Sequence, residues 1–364
     1  MSSLSRLVEL FNRANEAKLA TGVGYLRQLR EFYPLTRAPN FLGPSEYFDY
    51  RLYEPSLTSA AKRQFVGYRS ERIYSRLNTS SWHGAANDKV LFEQVMIAAG
   101  FKTPKTLAIY HPWRVAGEYC EHVRTREDLK RFLVKIETYP VFVKPVHGLF
   151  GRGASLITGY EPETELILTR GHDRISVDEF LSWLERDSRV GMLFQAMLKP
   201  STAVEQVCAE RLSSVRMIVL TGDDGPKLFR ANWKLCTGTN IMDNTEGWTN
   251  GNIVAAVDHT SGIVLGAYRG VDGRQLSIDQ HPDTQVPLLG LKVPNWDAMK
   301  EYVESAARVF PGLRFQAWDI ADTTSGVCAI EVNLATFHTV HATQLVSRQG
   351  FLDARLTKEL AALE

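Results

Sequence analysis

Lys144 lies inside Pro140-Val-Phe-Val-Lys-Pro145, an apolar run with the composition of a short strand. An ammonium there is costly unless an anion meets it. A nucleotide phosphate would satisfy it, and so would a neighbouring carboxylate. Glycines follow at once, at Gly148, Gly151 and Gly153. Glycine admits positive φ and lets backbone amides approach a phosphate closely, with His147 and Arg152 as further donors on the same loop. Beyond it Ala154-Ser-Leu-Ile-Thr158 is again strand-like. A dinucleotide fingerprint or Walker loop would have opened a helix instead, so this loop is expected to join two strands as a flap.

Far along the chain, Ala329-Ile-Glu-Val-Asn-Leu334 puts Glu331 and Asn333 into another apolar strand, and twelve residues separate Asp319 from Glu331. Side chains alternate along a strand, so Glu331 and Asn333 share a face, and a hairpin can set Asp319 beside them. Carboxylate and amide oxygens are the hard ligands that Mg²⁺ takes together with substrate phosphates. A half-exposed sheet face carrying ordinary acidic residues is the plainer alternative.

Arg216, between Val215 and Met217, offers a fork that matches phosphate or carboxylate. It is the candidate for neutralising charge on a transferring phosphoryl group. Lys234, Arg230 and Asp243-Asn244 follow and could hold an acceptor, although structural ion pairs would use the same residues. Gln195 closes a strand where the backbone from Ala196 to Leu198 could read an adenine edge or simply act as a hinge. His338 and His341 are spaced for a metal, but a helical surface explains them more simply.

These residues need a scaffold. Residues 1–85 show helical periodicity, with Leu4, Leu7, Leu10 and Phe11 on one face and a further helix expected over Gly43–Tyr53. Asn87 to Gly100 reads as a capped helix closed by glycine. Strands are expected at 106–110, 140–145, 154–158 and 191–197, with a helix at 176–184 between the last two. Hairpins follow at 214–234 and 252–268, then a helix at 296–310 and a last strand pair at 315–321 and 327–333. This divides the chain into a helical head (1–85), a first lobe with the flap (86–195) and a second lobe with the acidic strands (196–364).

The 364 residues carry 42 basic and 41 acidic side chains, a net charge of +1, with 44% hydrophobic and 23% charged residues. Such balance gives no reason to expect nucleic acid or an anionic membrane as partner. The N-terminus has no apolar core of a secretory leader, and no apolar run approaches the roughly 18 residues that span a bilayer. Cys120, Cys208, Cys236 and Cys328 are widely spaced, as in a reduced cytoplasmic protein.

Taken in order, Asn-Asp-Lys89, Val-Phe-Val-Lys144-Pro, the Gly148–Gly153 loop, Phe-Gln195-Ala-Met-Leu, Ser-Val-Arg216, and Trp-Asp319-Ile-Ala with Glu331-Val-Asn333 resemble the ATP-grasp superfamily. Gly-Pro-Ser-Glu-Tyr-Phe-Asp-Tyr in the head, and Asp-Asn244 ahead of Gly-Asn252-Ile-Val-Ala-Ala-Val-Asp, look like its sugar-transfer-associated branch. The resemblance spans roughly residues 40 to 350. It implies an α+β fold in which two lobes sandwich ATP with two Mg²⁺ ions. It also implies activation of a small-molecule carboxylate as an acylphosphate, which an amine or hydroxyl acceptor attacks. On that resemblance Lys144 and the flap amides would hold phosphates, Asp319, Glu331 and Asn333 would bind metal, and Arg216 would neutralise developing charge. His147 and Gln195 depart from the serine and glutamate frequent in the superfamily. A homo-oligomer is compatible with this reading. An ATP-dependent small-molecule kinase and a nucleotide-binding scaffold without turnover are the competing functions. Alanine at Asp319 or Glu331 is expected to abolish turnover and leave the fold intact.

Overall fold

A computed structural model describes residues 3–115, 117–137, 139–148, 153–170, 173–186 and 191–363. Two seven-stranded sheets organise the chain. The first contains β1 (Thr106–Tyr110), β2 (Glu121–Val123), β3 (Val141–Pro145), β4 (Ser155–Glu161), β5 (Leu166–Thr169), β6 (Arg174–Ser176) and β7 (Met192–Ala196), in the order β2-β1-β7-β3-β4-β5-β6. The second contains β8 (Ser214–Gly222), β9 (Gly225–Leu235), β10 (Asn250–Val257), β11 (Val264–Val271), β12 (Arg274–Ile278), β13 (Phe315–Thr323) and β14 (Gly326–Leu334), ordered β12-β11-β10-β9-β8-β13-β14.

In the first sheet alternation separates two environments. Val141, Val143, Met192 and Phe194 face a core made with the helices Arg126–Lys135 and Val177–Arg186. Lys144, Leu193 and Gln195 face the other way, toward the helix Lys89–Ala98. β3 and β4 pair antiparallel, Val141 opposite Ile157, so the glycine loop does connect neighbouring strands.

Helix Lys89–Ala98 belongs to both lobes. Asp88 caps it by accepting from the Val90 and Leu91 amides, which fixes its start two residues after Asn87. Val90 packs with Ile109, Val146 and Leu193, whereas Phe92 and Met96 enter the core of the second sheet. The segment after β7 is stitched to the β13–β14 turn: Lys199 accepts from the Thr324 amide, and the Ser201 amide donates to Asp322.

The head differs from expectation in detail. α1 (Ser3–Thr21) stops at Gly22, whose φ is +74°, and α2 (Tyr25–Leu35) runs through Pro34. The helix expected over Gly43–Tyr53 is confined to Pro44–Asp49, because Arg51 turns the chain at φ +53°. Tyr47, Tyr50, Leu52 and Phe65 pack on Val254 and Ala256 of β10 and on Leu345 and Val346 of the helix Phe337–Ser347. All four cysteines are free thiols. Among the described residues no helix is long and apolar enough to cross a membrane.

Head and second lobe meet backbone to backbone at Gly350, where an added Cβ would lie 2.2 Å from the Gln64 carbonyl carbon. The Leu352 amide donates to that same Gln64 carbonyl. Backbone on one side and backbone on the other leave no flexible side chain to yield. Gly350→Ala is therefore expected to lower stability by about 1–3 kcal/mol, read as a shifted denaturation midpoint. An unchanged midpoint would mean that this junction is not rigid.

Candidate active site

Pairing across the second sheet lines up four polar residues. Asn232 on β9 is opposite Arg216 on β8, Arg216 is opposite Asp319 on β13, and Asp319 is opposite Glu331 on β14. Directly opposed residues share a face, so register alone brings together groups up to about a hundred positions apart. Asp319 is buried. Arg216 grips it with both arms, Nε to Oδ1 at 2.5 Å and Nη2 to Oδ2 at 2.9 Å. Lys234 reaches Oδ2 at 3.2 Å and Asp243 at 3.0 Å, and Asp243 also accepts from the Ser214 amide and hydroxyl. Two cations and two carboxylates thus balance. The paired cations outweigh the desolvation that opposes them, and hold the Asp319 carboxyl well below the usual carboxylate range.

Glu331 and Asn333 sit at the open edge. The Asn333 amide donates to Glu331 Oε1 at 3.1 Å, and Glu331 Oε2 is 3.7 Å from the Lys89 ammonium. Lys89 donates to the carbonyl of Gly148 at 3.1 Å. One side chain therefore spans from the base of the glycine loop to the acidic strand. Asp88 receives Arg114 at 2.7 Å and lies 3.5 Å from His147 Nε2. Gly148 is exposed, and Gly153 has φ +74°, a conformation that suits glycine. Gly151 and Arg152 lie outside the described residues.

Lys144 is buried, and among the described residues no carboxylate is within ion-pair distance of its ammonium. Burial pushes its pKa down, against the attraction of Glu93 and Glu331. Glu93, fully buried on helix Lys89–Ala98, accepts from Thr106, Tyr119 and Gln195; burial pushes its carboxyl up. Gln195 is thereby committed by its side chain to this internal cluster. The Ala196 amide is likewise committed, to Lys105 O at 2.9 Å. Leu198 is half-buried beyond it, where the chain leaves the first lobe.

Other candidates take structural roles. Arg230 is buried over the Phe229 ring and donates to the carbonyls of Phe229 and Gly350. His341 meets the Tyr50 hydroxyl at 2.7 Å on the packed side of its helix, and His338 is exposed. Asn-Asp-Lys89 enters the motif order without a role for its lysine, and Glu93 has none by type and spacing. The available signal was a carboxylate four residues after a helix-opening lysine, in the otherwise apolar Val90-Leu-Phe-Glu-Gln-Val-Met96.

The oxygen set fits magnesium. Among the described residues no three His, Cys, Asp or Glu side chains gather into a cage, so protein ligands alone do not complete a shell. Mg²⁺ characteristically takes few protein oxygens and fills its octahedron with phosphate and water. Among the described residues Glu331 Oε2 meets the Lys89 charge alone, at 3.7 Å, and Asn333 contributes an amide oxygen beside it. Among the described residues Asp319 Oδ1 accepts one hydrogen bond, from Arg216, and so keeps a lone pair.

Comparison with known proteins follows the same outline. The model of the family described as sugar-transfer associated ATP-grasp matches residues 68–359. A search of curated proteins finds no match. Similar solved structures include the ADP complex of N5-carboxyaminoimidazole ribonucleotide synthetase (11% identity, TM-score 0.40, 77% of this chain and 54% of that one). Others are the VanG D-Ala:D-Ser ligase from Enterococcus faecalis (14%, 0.39, 76% and 61%) and the biotin carboxylase domain of Hydrogenobacter thermophilus 2-oxoglutarate carboxylase (15%, 0.43, 77% and 46%). The chain thus spans about half to three fifths of these structures.

The clamp on Asp319 revises what alanine does there. Asp319→Ala strands Arg216 in a buried site and leaves Lys234 to Asp243 alone, a loss of about 3–5 kcal/mol, whereas Glu331→Ala at the open edge is expected to be near neutral. Chemical denaturation of both variants checks the contrast; equal midpoints would refute it. Because Asp319 titrates lower folded than unfolded, its contribution is complete above the ordinary carboxylate pKa of about 4 and is lost as pH falls below it. The wild type minus Asp319→Asn stability difference should shrink on acidification over that range; a constant difference would reject the coupling.

Proposed function

This chain belongs to the sugar-transfer associated ATP-grasp family, and on that premise we propose that it is an ATP-dependent, ADP-forming ligase joining a small-molecule carboxylate to an amine or hydroxyl acceptor. The observation that carries this reading is the Lys89 ammonium, in contact with Gly148 of the glycine loop and close to Glu331 of the acidic strand. Phosphate donors and metal ligands, separated by nearly 200 residues in sequence, meet around one cation.

In this proposal Lys144, Lys89, His147 and the amides from Gly148 to Gly153 hold the polyphosphate. The buried Lys144 gains there the anion that its own surroundings do not supply. Glu331 and Asn333 would hold magnesium, with Asp319 adding its free lone pair. Magnesium, when bound, neutralises phosphate charge and aligns the terminal phosphoryl group. Arg216 acts chiefly by fixing Asp319, with Lys234 presenting positive charge beside it. Adenine is read by the segment at Leu198, since the Ala196 amide and Gln195 side chain are already engaged. A carboxylate oxygen of the acid bonds to the terminal phosphorus as the bond to ADP breaks. The acceptor then attacks the acyl carbon, phosphate departs with the electron pair of the acyl–oxygen bond, and the acceptor's proton passes to solvent or phosphate. Positioning and charge neutralisation supply most of the rate in such transfers.

Purified protein with Mg-ATP, screened against amino acids, sugar acids and amino sugars, is expected to release ADP and phosphate in equal amounts when acid and acceptor are both present. ADP with a phosphorylated acceptor and no free phosphate would establish a kinase instead. Absence of ADP from every combination, with nucleotide still bound, would leave a binding scaffold. Lys144→Ala is expected to weaken nucleotide affinity about tenfold or more, measured by titration with a fluorescent ATP analogue. An unaltered affinity would remove its assignment.

A further inference from the structure

A cleft of about 380 Å³ lies between the lobes, walled by the start of β4 and the end of β5 on one side and by the loop from β9 to β10 on the other. Ser155 and Thr169 line the first wall, Asn240, Asn244 and Asn250 the second. Both walls continue into the candidate active site. Ser155 comes two residues after Gly153 of the glycine loop, and Asn244 follows Asp243, whose carboxylate holds Lys234 beside Asp319.

The loop lies outside the strand ladder, so its backbone groups need partners from side chains. Asn252, fully buried in β10, supplies them. Its Nδ2 donates to the carbonyls of Met242 at 2.7 Å and Asn244 at 2.6 Å, and its Oδ1 accepts from the Asn240 side chain at 2.8 Å and the Thr237 amide at 3.0 Å. Asn250 adds a bond from its Nδ2 to the Asn244 carbonyl at 2.8 Å. With two donors and two lone pairs occupied, the Asn252 amide has nothing left for a ligand. It fixes instead three positions of the cleft wall, 240, 242 and 244.

The lining selects the occupant. Among the described lining residues the charged ones are Arg170, Asp173 and Glu246, all exposed. They sum to one negative charge, the wrong sign for drawing in a phosphate or a carboxylate. The remaining polar side chains are hydroxyls and carboxamides, which both donate and accept, as the hydroxyls of a polyol do. Clefts of this size are usually lined mainly by apolar side chains, whereas here these are the minority. A hydroxyl-rich molecule matches such a wall.

We propose that this cleft is the acceptor subsite, a reading that rests on the ligase assignment above, that it takes a polyhydroxylated acceptor of the hexose or hexosamine class, and that Asn252 is its positioning residue. Saturation-transfer NMR on the full chain with magnesium and a non-hydrolysable ATP analogue is expected to show binding of glucose, glucosamine or mannitol, and weaker binding of glucuronate and cyclohexylamine. Binding of none of the three polyols, or tighter binding of glucuronate or cyclohexylamine, would overturn the proposal. Asn252→Asp sets an oxygen against the Met242 and Asn244 carbonyls and is expected to weaken the bound polyol about tenfold while affinity for the ATP analogue is kept. Equal loss of both affinities would reduce Asn252 to a structural residue and remove its assignment. Thr169→Val with Thr239→Val keeps side-chain shape, leaves the buried network untouched and takes one hydroxyl from each wall; an unchanged polyol affinity there would overturn the subsite even if Asn252→Asp does not fold. Binding requires no turnover, so the two readings fail separately. A polyol bound without ADP release from any acid would remove the ligase and leave a polyol site. ADP and phosphate formed with an acceptor whose KM ignores Thr169→Val with Thr239→Val would keep the ligase and remove the site.

Discussion

The structure depends on the satisfaction of a buried carboxylate. Asp319 sits in a strand whose every residue is buried, where an isolated charge would be untenable. The two arms of Arg216 and the ammonium of Lys234 make it tolerable, and Asp243 returns the balance. That arrangement requires β8, β9 and β13 to be neighbours in one register, because a slip of one residue would send Arg216 into the apolar face occupied by Met217 and Trp318. The same register delivers Glu331 to Asp319. The position of Glu331 at the open edge therefore rides on charge pairing in the interior.

Lys144 presents the complementary case. Its partner across the first sheet, Leu193, is apolar, and Glu93, whose charge attracts it, spends its hydrogen bonds on Thr106, Tyr119 and Gln195. One buried cation is thus left open to an external anion while another set is closed upon itself. The contrast separates residues suited to meeting a phosphate from those that hold the frame. It also explains why Arg216, attractive by composition, is better understood as a brace than as a free donor.

Helix Lys89–Ala98 connects the two cases. One side of it enters the core of the second sheet, Glu93 faces the buried polar cluster of the first, and Lys89 stands between the glycine loop and Glu331. A shift of either sheet relative to this helix would alter the spacing between Gly148 and Glu331. The head contributes differently. It closes one face of the second sheet and leaves Leu4, Leu7 and Phe11 of α1 exposed.

Alternation and glycine placement in the sequence were sufficient to mark the strand of Lys144, the loop after it as a link between strands, and the shared face of Glu331 and Asn333, because those features depend on residues only a few positions apart. The order of motifs pointed to the family. What the sequence could not fix were contacts across long separations: that Gln195 would turn toward Glu93, that Arg230 would stack on Phe229, or that Lys89 would bridge the lobes. A polar residue in an apolar strand looks the same whether it binds a ligand or another side chain, and only its partner distinguishes them. Likewise the spacing of Leu4, Leu7 and Phe11 establishes an amphipathic helix, but which side meets the protein is decided by where Arg13 pairs with Asp49 and Leu35 enters the core of the head.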